Sequence, residues 1–263
     1  SAVATIDGGY LLAGQSSSEV GGDKSQASHG GQDYWVVKID ANGTKLWDKR
    51  YGGGLTDICK SVIANSDGSF LLGGQSYSNA DGDKSEASRG GGDYWVVKVD
   101  ANGTKLWDKR YGSPGTDECN AIVATSDGGY LLAGTSSSSS AGGDRSEDGR
   151  GGGDYWAVRI DANGTKLWDK RFAGIGAAPH NIDDRCLSAV ATDDGGYLLA
   201  GSSDSNAGGE KSENSRGSFD YWVVKINDSG ARVWDKRFGG SNMDLLSNVV
   251  AAPDGGYLLA GGS

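Results

Sequence analysis

The stretch Asp40-Ala-Asn-Gly-Thr-Lys-Leu-Trp-Asp-Lys-Arg50 recurs without change at 100–110 and 161–171, and a looser copy closes the series at 227–237. Before each copy stands Asp-Tyr-Trp, beginning at Asp33, Asp93, Asp154 and Asp220. A third block, Asp-Gly-Gly-Tyr-Leu-Leu-Ala-Gly or a close variant, begins at Asp7, Asp67, Asp127, Asp194 and Asp254. Its aromatic residue falls at 10, 70, 130, 197 and 257, giving periods of 60, 60, 67 and 60 residues. A fixed period of this size marks a repeat architecture. The longer third period comes mostly from 172–185, a stretch that carries Pro179 and His180.

Each unit reads as four strands. The apolar run before Asp-Gly, such as 61–65, is strand A, and a tight glycine turn leads to strand B, Tyr-Leu-Leu-Ala-Gly. Strand C is 34–39, rich in β-branched and aromatic residues, and strand D is 45–51. Asn42-Gly43 joins them, and Asn-Gly between two such runs is a strong hairpin signal because both residues tolerate positive φ. Strand C puts Tyr34 and Val36 on one face and Trp35, Val37 and Ile39 on the other, so its sheet must be covered on both sides. Four-stranded sheets repeated radially, each between two neighbours, meet that demand.

The expected fold is therefore all-β: a β-propeller of four-stranded antiparallel blades, about 60 residues per repeat. As one domain over 1–263, its units run 1–58, 59–118, 119–185 and 186–245, with a half unit at 246–263. Five A–B hairpins against four C–D hairpins favour five blades, the last completed by a C–D hairpin upstream of Ser1. A compressed four-bladed ring and a slice of a larger propeller are the alternatives. Composition agrees: 46 Gly against 3 Pro and 1 Met exclude a helical bundle, because Gly is poor in helix interiors. A net charge of −10 argues against nucleic acid, whose partners present a basic face. Apolar runs of about five residues span no membrane.

Candidate functional residues lie in the long connections from B to C, at 15–32, 75–92, 135–153 and 202–219. Loops of that length are uncommon and usually functional or disordered. Each holds an acid–base–hydroxyl core: Asp23-Lys24-Ser25, Asp83-Lys84-Ser85, Asp144-Arg145-Ser146 and Glu210-Lys211-Ser212. A basic residue follows each core, His29, Arg89, Arg150 or Arg216. The cores read either as four copies of a ligand site or as ties that hold the loops down, with Lys or Arg pairing an acid and Ser bonding backbone. Aromatics add a second element: Tyr34, Tyr94, Tyr155 and Tyr221 on strand C, and Trp47, Trp107, Trp168 and Trp234 on strand D. Such rings beside Asp and Arg make a sugar platform if exposed, and inter-blade packing if not. Lys49-Arg50 and its copies, beside Asp48, read as a charged outer edge that discourages strand pairing.

Other chemistry is thinly supported. Cys59, Cys119 and Cys186 fill one equivalent strand A position that Leu246 fills in the last hairpin, as small buried hydrophobes do. Aligning Gly43 with the sixth position of an EF-hand loop puts Lys38 and Lys49 where carboxylates are required. No cofactor is expected beyond a possible metal, for which calcium on backbone oxygens of the Asp/Ser/Gly loops is the one candidate. Neither His29 nor His180 sits in a repeated constellation with Ser or Cys, and no phosphate loop or zinc spacing occurs. No enzyme and no catalytic residue is expected. A unique site, if there were one, would use His180 in the lengthened connection.

The combined pattern Gly-Gly-Tyr-Leu-Leu-Ala-Gly, Gly-Asp-Lys-Ser, Asp-Tyr-Trp-Val-Val-Lys-Ile-Asp-Ala-Asn-Gly and Leu-Trp-Asp-Lys resembles a repeat family of secreted Bacteroidota proteins. The resemblance covers nearly the whole chain. It implies an extracellular or cell-surface propeller, of a kind often exported by type IX secretion, and supplies no catalytic residues. The layout is also similar to kelch and tachylectin-type propellers, a likeness of architecture only. Two functions compete. The leading expectation is a multivalent carbohydrate-binding, lectin-like or adhesion module whose partners are glycans or surface polysaccharide, with weak sites gaining avidity by repetition. The alternative is a structural or protein-interaction propeller in a secreted or cell-surface assembly, with no sugar binding and no catalysis.

Overall fold

The computed structural model describes residues 1–176 and 183–263. Among the described residues the chain is strands and connections. The first sheet contains β1 (Ala2–Ala4), β2 (Tyr10–Ser16), β3 (Asp33–Ile39) and β4 (Lys45–Tyr51). The second contains β5 (Asp57–Ala64), β6 (Phe70–Ser76), β7 (Asp93–Val99) and β8 (Lys105–Tyr111). The third holds β9 (Asp117–Ala124), β10 (Tyr130–Ser136), β11 (Asp154–Ile160) and β12 (Lys166–Phe172). The fourth holds β13 (Asp184–Ala191), β14 (Tyr197–Ser203), β15 (Asp220–Ile226) and β16 (Arg232–Phe238). The fifth has β17 (Leu245–Ala251) and β18 (Tyr257–Gly262) alone. All pairings of these strands are antiparallel and join sequence neighbours. These are β-propeller blades on the 60-residue repeat, four complete and a fifth of two strands. The chain divides into two compact units, Ser1–Gly112 with blades I and II, and Ser113–Ser263 with blades III, IV and V.

Two local features depart from the sequence reading. Strand A is longer than its apolar run: β5 begins at Asp57 because the register shifts between Cys59 and Ser61. That bulge breaks the alternation on which the reading relied. The C–D connection is also wider than a two-residue hairpin. The Asp40 amide donates to Thr44 O at 2.9 Å, closing a five-residue loop. The Asp40 carboxylate accepts from the Asn42 and Thr44 amides, each at 2.8 Å. Of the Asn-Gly pair only Gly43 takes positive φ, +84°; no other residue type does so among the described residues.

Each compact unit is held together by the same contact between blades. In the first, Leu11, Tyr34 and Val36 of blade I share a core with Cys59, Val62, Leu72, Trp95, Val97 and Val99 of blade II. The Tyr34 ring lies 4.8 Å from the Trp95 ring, and its hydroxyl donates to Trp95 O at 2.8 Å. The second unit repeats this: Tyr155 lies 4.8 Å from Trp222 and donates to Trp222 O at 2.8 Å. Both faces of strand C are buried in blades II, III and IV, as its residues demanded, whereas in blade I the face of Trp35, Val37 and Ile39 is half-buried. Because this bond has no water to replace it, Tyr155→Phe should lower unfolding free energy by about 1 kcal/mol in urea denaturation. In the same assay Tyr221→Phe should shift it by less than about 0.5 kcal/mol, since the Tyr221 hydroxyl finds no partner among the described residues.

Cys59, Cys119 and Cys186 are buried and form no disulfide among the described residues. Burial pushes the Cys59 and Cys186 thiols up to about 12, which leaves them inert as nucleophiles.

Candidate functional site: the clamped B–C loops

The long B–C connection is ordered by one buried cation per blade. In blade II the Lys84 ammonium donates to Ser78 O and Ser88 Oγ, each at 2.8 Å. In blade I, Lys24 reaches Ser18 O at 2.5 Å and Ser28 Oγ at 2.7 Å. In blade IV, Lys211 reaches Ser205 O at 2.7 Å and Ser215 Oγ at 2.8 Å. Blade III uses Arg145, which bonds Ser136 Oγ at 2.9 Å and Ser138 O at 2.6 Å and pairs with Asp154. All four cations are buried, with 5% exposure at most. Long charged side chains are seldom buried unless paired. Burial pulls the Lys84 ammonium down to about 8, against the attraction of Asp93 and Asp57.

A second clamp comes from strand D. Asp108 Oδ2 accepts the Ser85 amide at 2.8 Å and Trp95 Nε1 at 3.1 Å, while Oδ1 takes Lys105 at 2.8 Å. The other blades build the same junction on Asp48, Asp169 and Asp235. Burial works against ionisation of Asp108, but donation from Lys105, Ser85 and Trp95 outweighs it and holds the carboxyl below the usual range. Sequence reasoning placed Asp48 at a charged outer edge, yet it is 5% exposed, whereas Leu46 two residues earlier is 54% exposed. The expected pattern is inverted because the carboxylate is needed inside to join loop, strand C and strand D.

Strand D arginines join one blade to the next. Arg50 Nη1 lies 3.1 Å from Asp83 of the following loop. In the second unit Arg171 and Arg150 converge on Glu210 at 3.0 and 2.9 Å. The outer-edge reading of Arg50 is thus replaced as well: its head is held between Asp83 and Asp33.

The expected site residues therefore separate. Tyr34, Tyr94 and Tyr155 are fully buried and offer no ring face; Tyr221 is half-buried. Lys24, Lys84, Arg145 and Lys211 point inward. Asp83, Asp144 and Glu210 are half-buried, and Asp83 and Glu210 are engaged in the arginine pairs above. Trp47, Trp107 and Trp168 are half-buried, Trp47 and Trp168 against the cores of their units. Exposed surface remains at Asp23, Arg89, Arg150, Arg216 and Trp234. The backbone amides of Arg89 and Arg216 donate to Asp93 and Asp220 at 2.7 and 2.6 Å. His180 lies outside the described residues.

The concavities among the described residues include two lined by several charged or polar side chains. One, of about 510 Å³, is floored by Leu12, Trp35, Val37 and Ile39, with Asp23 and Lys45 also lining it. The other, about 430 Å³, is lined by Glu118, Asn120, Thr135, Asp183 and Arg185 among others. There Arg185 is paired with Asp183 at 2.6 Å and Asn120 donates to Cys186 O at 2.8 Å. Among the described residues no group of three or more His, Cys, Asp or Glu side chains is gathered to hold a metal ion. No helix there is long and apolar enough to cross a membrane.

Buried acids give the loops a pH response. Burial pushes Asp33 up to about 6, against the His29 amide and Arg50, and Asp184 is raised to about 6 chiefly by burial. A carboxyl with a raised folded pKa contributes stability that is complete below its unfolded value and is lost as pH rises through the folded one. Asp33→Asn should therefore gain about 2 kcal/mol on the native chain at pH 7.5, the gain fading by pH 4, in denaturant midpoints measured across that range.

No protein-family profile matches the chain, and no curated protein does. Among solved structures it is similar to a protein of unknown function from Bacteroides caccae, at 15% identity and TM-score 0.54, covering 98% of this chain and 68% of that one. Hydrazine synthase from Kuenenia stuttgartiensis matches at 12% identity and TM-score 0.46, over 85% of this chain and 53% of that one. The chain is thus an all-β repeat protein distantly similar in fold to a Bacteroides protein, a likeness that extends to fold alone.

Proposed function

We propose that the chain is a protein-interaction propeller module of an extracellular or cell-surface assembly, with neither sugar binding nor catalysis as its task. One observation carries the reading: the four acid–base–hydroxyl cores close on themselves. Their cations bond loop carbonyls and serine hydroxyls, their serine amides bond strand D aspartates, and Asp83 and Glu210 pair with arginines of the preceding blade. A lectin site needs hydroxyl-binding groups and an aromatic face turned outward, and these groups are spent on rigidity. What the clamped loops offer outward, in each compact unit taken by itself, is a fixed charged surface suited to a complementary protein surface. Asp23 and Arg89 are exposed in the first unit and Arg216 in the second. The secreted location rests on the resemblance of the repeat motifs to Bacteroidota surface proteins.

A glycan array run on folded chain, with calcium and then with a chelator, should stay blank in both conditions. Binding that weakens stepwise through Asp83→Ala, Asp144→Ala and Glu210→Ala would restore the multivalent carbohydrate reading.

A further inference from the structure

Strands β5, β9 and β13 each begin Asp-x-Cys-x, and the Asp and Cys are buried in all three. The intervening residues differ in every copy: Ile58 and Lys60, Glu118 and Asn120, Arg185 and Leu187. Strand alternation turns them to the side opposite the buried pair. The second of each pair is also the residue that the ladder skips, Asn120 in β9 and Leu187 in β13, and a bulge re-aims a side chain. Constancy across the repeat marks what a blade needs for packing, and these positions are released from that need. In the second compact unit both pairs line one cleft, the concavity of about 430 Å³.

Its walls carry opposite charges, Glu118 from β9 and Arg185 from β13. Arg185 is held in place: its Nη2 donates to Asp183 at 2.6 Å, and its guanidinium lies 5.2 Å from the centre of the Phe219 ring. Asp183 is itself fixed, accepting from the Gly153 amide at 2.8 Å while its own amide donates to Asp204 at 2.6 Å. The Nε and Nη1 groups of Arg185 meet no partner among the described residues, and the side chain is 53% exposed. Those N–H groups remain for another acceptor, and a guanidinium suits a carboxylate. On the facing wall the two oxygens of Glu118 can take several donors at once. Asn120 reaches across, its amide donating to Cys186 O at 2.8 Å, and Thr135 and Leu187 complete the lining.

We infer that this cleft binds a small zwitterion of the α-amino acid or short-peptide class. The ligand carboxylate accepts from Arg185, its ammonium group donates to Glu118, and its side chain rests against Leu187. Asp183 is a positioning residue that sets the guanidinium. Facing walls of opposite sign favour a ligand that carries both charges, because a lone charge meets its own sign across the cleft. The volume lies in the range of small-ligand sites. The site uses none of the buried loop cations and none of the loop charges assigned above to a protein partner, so either reading can fail alone.

The test titrates L-alanyl-L-alanine into the isotope-labelled 263-residue chain and follows amide chemical shifts. Residues 116–120, 135–137 and 185–187 should shift along a saturable one-site curve. The dipeptide carboxamide, which lacks the carboxylate, and the N-acetyl form, which lacks the ammonium group, should each bind about tenfold more weakly, the loss of one charge-assisted contact. L-Alanine run in parallel separates the two sources: equal affinity assigns the cleft to free amino acids, weaker affinity to peptides. Arg185→Gln should weaken the dipeptide about tenfold and leave the carboxamide unchanged, and Glu118→Gln should do the same with respect to the N-acetyl form. Urea midpoints near that of the native chain show that both variants are folded. No saturable shift at these residues, equal affinity for the dipeptide and both blocked forms, or binding that both substitutions leave unchanged overturns the proposal.

Discussion

Trp222→Ala should destabilise the protein by about 4 kcal/mol, seen as a lower urea midpoint with an unchanged slope. Trp222 is fully buried, with the Tyr155 ring 4.8 Å away and the Lys211 ammonium 5.9 Å from its own ring. Truncation removes the largest side chain of that core and opens a cavity that two rigid sheets cannot close. It also takes from Asp235 the indole donor at 3.0 Å, on a carboxylate that is 4% exposed and cannot turn to water. Trp35→Ala is the internal control. Trp35 has the same strand position and the same aspartate bond, but it is half-buried on the floor of an open concavity. Its loss should amount to about 1–2 kcal/mol, since only part of its surface leaves water on folding. Equal losses at the two positions would show that packing between blades is not the source.

Lys84→Met should lower stability by about 3 kcal/mol at pH 7.5 despite keeping the apolar stem. The ammonium serves Ser78 O and Ser88 Oγ and lies among carboxylates that burial already resists ionising, Asp57 among them. Without the cation those carboxyls are raised further. Their stability is lost as pH rises, so the deficit of the variant should be largest above pH 6 and shrink toward pH 4. A deficit constant across that range would mean that only the two hydrogen bonds matter. Loop proteolysis between 77 and 92 should rise in parallel, because the cation is what anchors the loop.

What the sequence made legible, and what it did not, follows from which physical signals repeat. Strands C and D were readable because their apolar and aromatic residues alternate and a glycine turn separates them; β4 runs from Lys45 to Tyr51 as expected. The first half of strand A was hidden by its bulge at Cys59–Ser61. The loops were misread in emphasis, because residue type alone does not distinguish a solvated lysine from a buried one. A signal for the buried state was present: a serine six residues before Lys24, Lys84 and Lys211 and another four after, at Ser18 and Ser28, Ser78 and Ser88, Ser205 and Ser215. Polar partners at constant offsets from a charge are what a buried cation requires. Asp48 and its copies carried such a mark as well, a serine 23 residues before, a tryptophan 13 before and a basic residue three before, but spread over three separate segments and so harder to read.

Between blades I and II and between blades III and IV, the tyrosine and arginine side chains of strands C and D donate forward. Backbone amides of the later blade donate back, Asp83 to Gly52 O at 2.9 Å and Glu210 to Ala173 O at 3.0 Å. Tyr34 gives to Trp95 and Arg50 to Asp83; Tyr155 gives to Trp222 and Arg171 to Glu210. Blades I and III therefore each carry side-chain donors that the following blade of their unit accepts, like a coupling with a hook at one end and an eye at the other. Where blades are matched in this way, gain or loss of whole units keeps each hook with an eye, whereas a change of half a unit strands a tyrosine and an arginine. Recombination between the near-identical coding segments is thus tolerated only in whole steps. Chains descended from a common ancestor should differ in length by multiples of about 60 residues.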